Sequence, residues 1–357
     1  MSGKCKDVRE EVQVSARGGD ARRCSGRMGR FRCGGGFSIL SVTEWRAVCY
    51  RKGRYQGSDA MRVLSAGYCT LDQIGVVETR GHGETRRDLS TFSVQGGGTA
   101  ATAAVALARW GVEVGIVGVV GDDERGAQIE RTLSAARVDT RHMIRRRGGI
   151  SQLTMVVLDA EVGRRLYVTP GNVAALGAEE VCEEMLEGVD LLVIDGAYPE
   201  AQLALARSAR ARGVSVVGEL KRGGREVAER LLPWLDVVVT SERVASDLTG
   251  VGALQGICAG LLKRGPKVAV VTLGEEGAAG MGEDGELLRE VATRIDEVDV
   301  TGAGDVFLGA VALGVGEGWN LRHVLRYANA AAARACEGLG GRSSIDSREV
   351  IEAVLEG

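Results

Sequence analysis

The sequence is poor in aromatic side chains: Phe, Trp and Tyr make up 4% of its 357 residues. A pocket that holds a nucleoside needs a stacking platform over the base, and so small a supply offers few candidates for one. The eight cysteines contain no Cys-x-x-Cys pair, which indicates neither a zinc site nor a redox couple. No run of about 18 apolar residues occurs, and no short apolar stretch follows a basic start, so the expected setting is cytoplasmic and off the membrane. No G-x-x-x-x-G-K-[ST] is present, so a Walker lysine is unavailable to any phosphate chemistry. No G-x-G-x-x-G follows the first predicted strand, which excludes a Rossmann dehydrogenase. The formal net charge is only −3, but it is unevenly spread. The first 60 residues carry 13 Lys/Arg and 6 Asp/Glu, which leaves 32 and 42 for the remainder. An acidic body of that kind gives no support to nucleic-acid binding.

With 45% hydrophobic residues, the chain can bury a full-sized core. Residues 1–60 lack either hydrophobic period and hold Cys5, Cys24, Cys33 and Cys49. They read as a mostly disordered or mispredicted extension, because such a composition cannot offset the entropy of ordering itself. The texture changes at Met61, where Met61–Gly67 reads as a strand. From there strands and helices alternate: Leu191–Asp195, Val214–Leu220, Val237–Thr240 and Val268–Val271 as strands, with Pro199–Arg212, Arg225–Leu232 and Glu242–Thr249 as helices. Such alternation predicts an α/β fold with a central, mostly parallel sheet and helices on both faces. Ile150–Asp159 and Arg164–Thr169 read as a two-stranded ribbon.

The most informative stretch is Val298-Asp299-Val300-Thr301-Gly302-Ala303-Gly304-Asp305-Val306-Phe307. It is a glycine-rich turn that feeds an apolar helix, with Gly302, Ala303, Gly304 and Asp305 in the first turn. The first amides of a helix have no internal partners and sit at its positive end, so a turn without bulky side chains leaves them open to a phosphate. Asp305 stands where a carboxylate can take the proton of a hydroxyl attacking that phosphate.

Asp299-Val300-Thr301-Gly302-Ala303-Gly304-Asp305 resembles the Asp-Thr-x-Gly-Ala-Gly-Asp signature of the ribokinase, or phosphofructokinase-B, carbohydrate kinases, with Val300 in place of the usual Thr. Thr272-Leu273-Gly274-Glu275-Glu276-Gly277 resembles the adenosine-binding loop of the same family. Gln95-Gly96-Gly97-Gly98-Thr99-Ala100-Ala101-Thr102 resembles its Gly-Gly-Asn-x-x-Asn sugar element, with Thr99 and Thr102 replacing both Asn. This variant looks most like the sulfofructose kinase branch, with ketohexokinase-like members next.

The resemblance implies a ribokinase-like domain over residues 61–357, with a small β-lid from about 73–95 and 150–170. It implies an ATP-dependent kinase acting on a small sugar, a ketose or a sulfo- or phospho-ketose. Asp305 would be the base, and the Gly302, Ala303 and Gly304 amides the anion hole. Asp72, which leaves the end of the first predicted strand, would grip the sugar together with Gly97, Gly98, Thr99 and Thr102. Arg165 would meet an anionic substituent. Thr272, Gly274, Gly277 and Asn329 would contact the nucleotide. Ser241 stands where many members carry the first residue of Asn-x-x-Glu, a motif linked to magnesium and phosphate. With that motif lost, Glu219 is a substitute carboxylate for Mg2+. Asp299 and Thr301, beside the Leu339–Ser343 turn, would hold a monovalent cation, K+. An exposed lid edge would suit a homodimer. The rival readings are a nucleoside kinase of the same fold and a catalytically silent sugar-binding regulator.

Overall fold

The computed structural model describes residues 60–77 and 87–356. The expected N-terminal extension, with four of the cysteines, and residues 78–86 of the first lid segment lie outside the described residues. In chain order the strands are β1 (Arg62–Ala66), β2 (Thr70–Val77), β3 (Leu89–Gly97), β4 (Glu113–Gly121), β5 (Asp139–Arg146), β6 (Leu153–Asp159), β7 (Gly163–Thr169), β8 (Leu191–Ile194), β9 (Ser215–Glu219), β10 (Val237–Ser241), β11 (Val268–Thr272), β12 (Ala278–Met281) and β13 (Leu287–Glu290).

Nine of them form one sheet in the order β5-β4-β1-β8-β9-β10-β11-β12-β13. It is parallel from β5 to β11 and ends in the antiparallel hairpin β12–β13. Strands such as Leu191–Ile194 and Val268–Val271 are buried throughout, because helices cover both faces and every side chain needs an apolar contact. One apolar layer includes Leu107, Leu308, Val311 and Val324, and the opposite layer includes Leu205, Leu248 and Ile257. The predicted doubly covered α/β sheet is therefore the fold observed. Sequence reading missed β5, the helix Leu254–Leu262 and the β12–β13 hairpin. For β5 the reason is physical: Asp139–Arg146 is a half-buried edge strand carrying Asp139, Arg141, Arg145 and Arg146, so it has no apolar run to reveal it.

The second sheet, in the order β3-β2-β6-β7, corresponds to the predicted lid. Asp72 lies inside β2 rather than in an exit loop, paired with Gln95 on one side and Thr154 on the other. On one face of this sheet Phe92, Val94, Met155 and Tyr167 are exposed and share neighbouring register positions. Val156 and Leu166 occupy the other face.

The helix Ala303–Gly316 is buried from Val306 to Val315. It lies close against the helix Thr99–Arg109: a Cβ on Gly309 would fall 3.1 Å from the Ala103 carbonyl oxygen and 3.2 Å from Ala106 Cβ. Small residues at this crossing bring the two glycine-rich helix starts to the same edge of the large sheet. A Gly309→Val variant should overpack the crossing and cost about 1–3 kcal/mol in urea unfolding, whereas unchanged stability would show that the helices are free to separate.

Candidate active site

Both glycine-rich turns are explained by what lies against them. A Cβ on Gly97 would sit 2.0 Å from Asp72 Oδ2, and one on Gly96 would sit 2.1 Å from Arg342 Nη1. Gly98 combines φ +94° with a Cβ position 2.2 Å from the Tyr68 carbonyl oxygen. Gly302, at φ +79°, caps the helix Ala303–Gly316 and would place a Cβ 2.4 Å from Gly341 Cα. Gly304 differs, because the nearest atom to its Cβ position is Glu219 Oε1 at 3.9 Å. Its missing side chain leaves open space.

The amides of that turn are not equivalent. Ala303 N–H donates to the Val300 carbonyl (3.3 Å) and Asp305 N–H to the Gly302 carbonyl (3.0 Å). The N–H groups of Gly302 and Gly304 have no acceptor among the described residues. Two free donors at the positive end of a buried helix, with open space beside one of them, suit an anion. Of the three amides expected to form an anion hole, only that of Ala303 donates to a carbonyl within the turn.

A cavity of about 290 Å3 joins this helix start to the lid. Asp72, Gly98, Thr99, Thr301, Gly302, Gly304 and Asp305 line it, as do Thr154, Val156 and Leu166 from the lid. No Phe, Tyr or Trp is among its lining residues. Three cations also face it, Arg164, Lys221 and Arg222, and sequence reading identified none of them. Lys221 Nζ donates to Asp305 Oδ1 at 2.7 Å and lies 3.1 Å from Glu219 Oε2. Arg222 stacks over the Tyr68 ring, 4.1 Å from its centroid.

Arg165, the expected anion contact, does not line the cavity, whereas Arg164 and Leu166 on either side of it do. The register pairs Arg164 with Leu158 and Arg165 with Val157, and side chains alternate along a strand, so the neighbouring arginine faces the cavity. Arg164 Nε donates to Thr301 Oγ1 at 3.0 Å and lies 3.6 Å from Asp299 Oδ1. Asp299 also accepts from Thr301 N–H, Thr301 Oγ1 and Gly340 N–H. Both its oxygens are engaged by these donors, and a guanidinium lies beside it. Glu219 Oε2 lies 3.1 Å from the Lys221 ammonium. Among the described residues no cluster of three or more His, Cys, Asp or Glu side chains suits a metal ion. Mg2+ is usually held by one or two carboxylates together with phosphate oxygens, which needs no such cluster.

Thr102 sits behind the cavity, where its hydroxyl accepts from Arg342 Nε at 3.2 Å, and Arg342 Nη2 donates to the Gly97 carbonyl at 2.9 Å. The arginine occupies the region next to Thr102, where the longer asparagine of the sugar motif is missing. The remaining nucleotide candidates lie elsewhere along the sheet. Thr272 and Ser241 are register partners at the C-terminal ends of β11 and β10. Ser241 caps the helix Glu242–Thr249. Gly274 and Gly277 have positive φ in the loop after β11. Asn329 donates to the Glu290 and Val291 carbonyls, fixing the chain that passes over Gly277.

The pfkB family carbohydrate kinase profile matches residues 60–348. The chain belongs to this family. Among its relatives, the ATP-dependent ribose-1-phosphate kinase of Halopiger xanaduensis is 28% identical over 292 residues, covering 80% of this chain and 95% of that protein. The ribokinase of Bacillus subtilis is 27% identical over 298 residues, covering 81% and 97%. Arabidopsis thaliana ribokinase, solved with ribose and ATP, superposes with a TM-score of 0.72 at 22% identity, covering 84% of this chain and all of that one (100%). An Escherichia coli chain assigned as ribokinase II, solved with ATP and Mg2+, gives 0.74 at 22%, covering 83% and 99%. This pfkB protein is an ATP-dependent sugar kinase.

Burial raises the Asp72 carboxyl of the kinase to about 6, with the Arg342 guanidinium opposing the rise and the Asp305 charge adding to it. Asp72 Oδ1 has no hydrogen-bond partner among the described residues. Because the folded value lies above the unfolded one, near 3.9, this group favours the fold at low pH, and that contribution is lost as pH rises through 6. In carboxyl-carbon NMR Asp72 should titrate near 6, and higher still in Arg342→Met, where the opposing cation is gone. A value near 3.9 would mean that the carboxylate is not held in this buried setting.

Proposed function

We propose that the kinase transfers the γ-phosphoryl group of ATP to a hydroxyl of a small sugar that carries an anionic substituent, a sulfo- or phospho-sugar of ketose type. The observation that supports this best is one cavity containing the helix-start amides, Asp305, Asp72 and three cationic side chains. A neutral sugar has no use for Arg164 and Arg222, while a sulfonate or phosphate is matched by guanidinium groups. The Halopiger relative, an ATP-dependent ribose-1-phosphate kinase, takes an anionic sugar, which fits this class. The kinase domain is taken as residues 61–357, with the lid from about 73–95 and 150–170.

In this reading Asp305 accepts the proton of the attacking hydroxyl while the new sugar O–P bond forms and the bond to the leaving ADP oxygen breaks. The Gly302 and Gly304 N–H groups stabilise the charge on the transferred group. Asp72, with an open buried acceptor, orients two sugar hydroxyls. Thr99 replaces an asparagine and offers one hydroxyl, so it selects a different hydroxyl pattern. Mg2+, when bound, neutralises the nucleotide phosphates. Thr272, Gly274, Gly277, Ser241 and Asn329 shape the nucleotide side of the site. A second copy covers the exposed apolar face of the lid, where Phe92, Val94, Met155 and Tyr167 lie together. A cytoplasmic setting supplies the ATP.

The nucleoside kinase alternative is disfavoured by a cavity lined by no aromatic ring. The silent-regulator alternative leaves unexplained the proximity of Asp305 to two free amides.

ATP consumption measured over fructose, ribose, adenosine, sulfofructose, ribose 1-phosphate and tagatose 6-phosphate tests the assignment. An anionic sugar should be the best substrate, and Arg164→Gln should reduce its advantage in kcat/KM over the neutral sugars by about 10–100-fold, the cost of one charged hydrogen bond. Asp305→Asn should abolish turnover of every substrate. Preference for a neutral sugar or for adenosine would contradict the substrate class, and an active Asp305→Asn would remove the base.

A further inference from the structure

Lys221 follows Glu219 by two residues, just past the C-terminal end of β9, and has no counterpart among the motifs that the sequence displays. Its ammonium lies closer to Asp305 Oδ1 (2.7 Å) than to Glu219 Oε2 (3.1 Å). Its side chain is 37% exposed, against 15% for Asp305 and 8% for Glu219, so it is the member of the trio most open to the cavity. Burial works against the charge on Lys221, and the carboxylates, Asp305 foremost, more than offset it, so the group titrates above the ordinary lysine range. The ammonium is therefore a permanent positive charge beside the base.

A counter-ion to the buried Glu219 is the bland explanation for such a lysine. It does not account for the shorter contact to Asp305 or for the exposed ammonium at the cavity wall. The chain also lacks a Walker lysine and has Ser241 and Val244 where Asn-x-x-Glu would stand, so the usual protein sources of help with phosphate charge are missing. Glu219, the other partner of Lys221, abuts the open Cβ position of Gly304, whose N–H is one of the two free donors. The cation, the free amides and the base therefore border the same few ångströms of space.

We propose that Lys221 is a further catalytic residue of this kinase, its ammonium lying against the phosphoryl group in transit and stabilising the charge spread over its oxygens. The inference rests on the reading of Asp305 as base. The sugar hydroxyl proton goes to Asp305, the sugar oxygen bonds to phosphorus, the bond from phosphorus to the ADP oxygen breaks, and Lys221 keeps all three of its protons throughout. An interaction made chiefly during transfer raises kcat with little effect on ground-state nucleotide affinity.

The test compares Lys221→Met, Lys221→Arg and the double variant Glu219→Gln/Lys221→Met. Turnover is measured with the best sugar of the substrate panel, and MgATP affinity by calorimetry without sugar. Lys221→Met should lose about 10²–10³-fold in kcat, the effect of removing one donor to a developing charge, with the MgATP Kd within about threefold of wild type. That Kd also certifies the fold of the variant. Lys221→Arg should recover most of the loss, and the double variant should recover none of it. A Lys221→Met enzyme with kcat within threefold of wild type overturns the inference. So does a double variant restored to that level, which would make Lys221 a counter-ion of Glu219. If Asp305→Asn is inactive in the same assay, either result defeats the role of Lys221 alone and leaves the base in place.

Discussion

Two peptide N–H groups without an acceptor among the described residues, those of Gly302 and Gly304, are the constraint around which this kinase is arranged. The helix start opens on the cavity, with Gly304 exposed and Gly302 and Asp305 half-buried, so water or a ligand can complete both donors. The rest of the architecture keeps that place open and positive. Gly302 adopts a left-handed conformation against Gly341, so the turn has a single course. Gly309 lets the helix lie close against the helix Thr99–Arg109, which carries Thr99 and the Gly96–Gly98 turn to the same edge. The sheet then delivers Glu219 and Lys221 at the C-terminal end of β9, the edge where open α/β sheets bind their ligands.

Charge in the cavity is balanced locally rather than by the surface. Asp305 is paired with Lys221, Asp299 has Arg164 within 3.6 Å, and Asp72 feels the Arg342 guanidinium behind the glycines. Each acid of the site therefore has a basic partner drawn from a different element of the chain. Burial of so many ionised groups is costly unless every charge is compensated. Arg164 borders the cavity as well as Asp299, and Arg222, stacked on Tyr68, is a further positive group at the wall.

The parts of the site that sequence displayed are those whose chemistry is local. Gly302, Gly304 and Asp305 are adjacent and open a helix, so their arrangement follows from helix geometry alone. The strand–helix alternation likewise exposed the parallel sheet. Asp72 was approachable only through family likeness, because its partners, Thr154 and Arg342, are distant in the chain. Arg164 and Arg165 differ only in which face of β7 they occupy, and that parity is fixed by pairing with β6, not by composition. Lys221 was invisible for a related reason: a lysine after a strand is ordinary until the helix of Asp305 is brought against it. The rule that strand ends carry ligand-binding groups was available and, applied to Glu219–Arg222, would have marked it.

The account is tested most directly by a crystal structure with the preferred sugar and a non-hydrolysable ATP analogue. It predicts the terminal phosphate within about 3.3 Å of the Gly302 and Gly304 nitrogens, with an Asp305 oxygen within about 3.2 Å of the sugar hydroxyl facing that phosphate. A terminal phosphate bound away from those two amides, or an Asp305 carboxylate turned from the sugar, would contradict it.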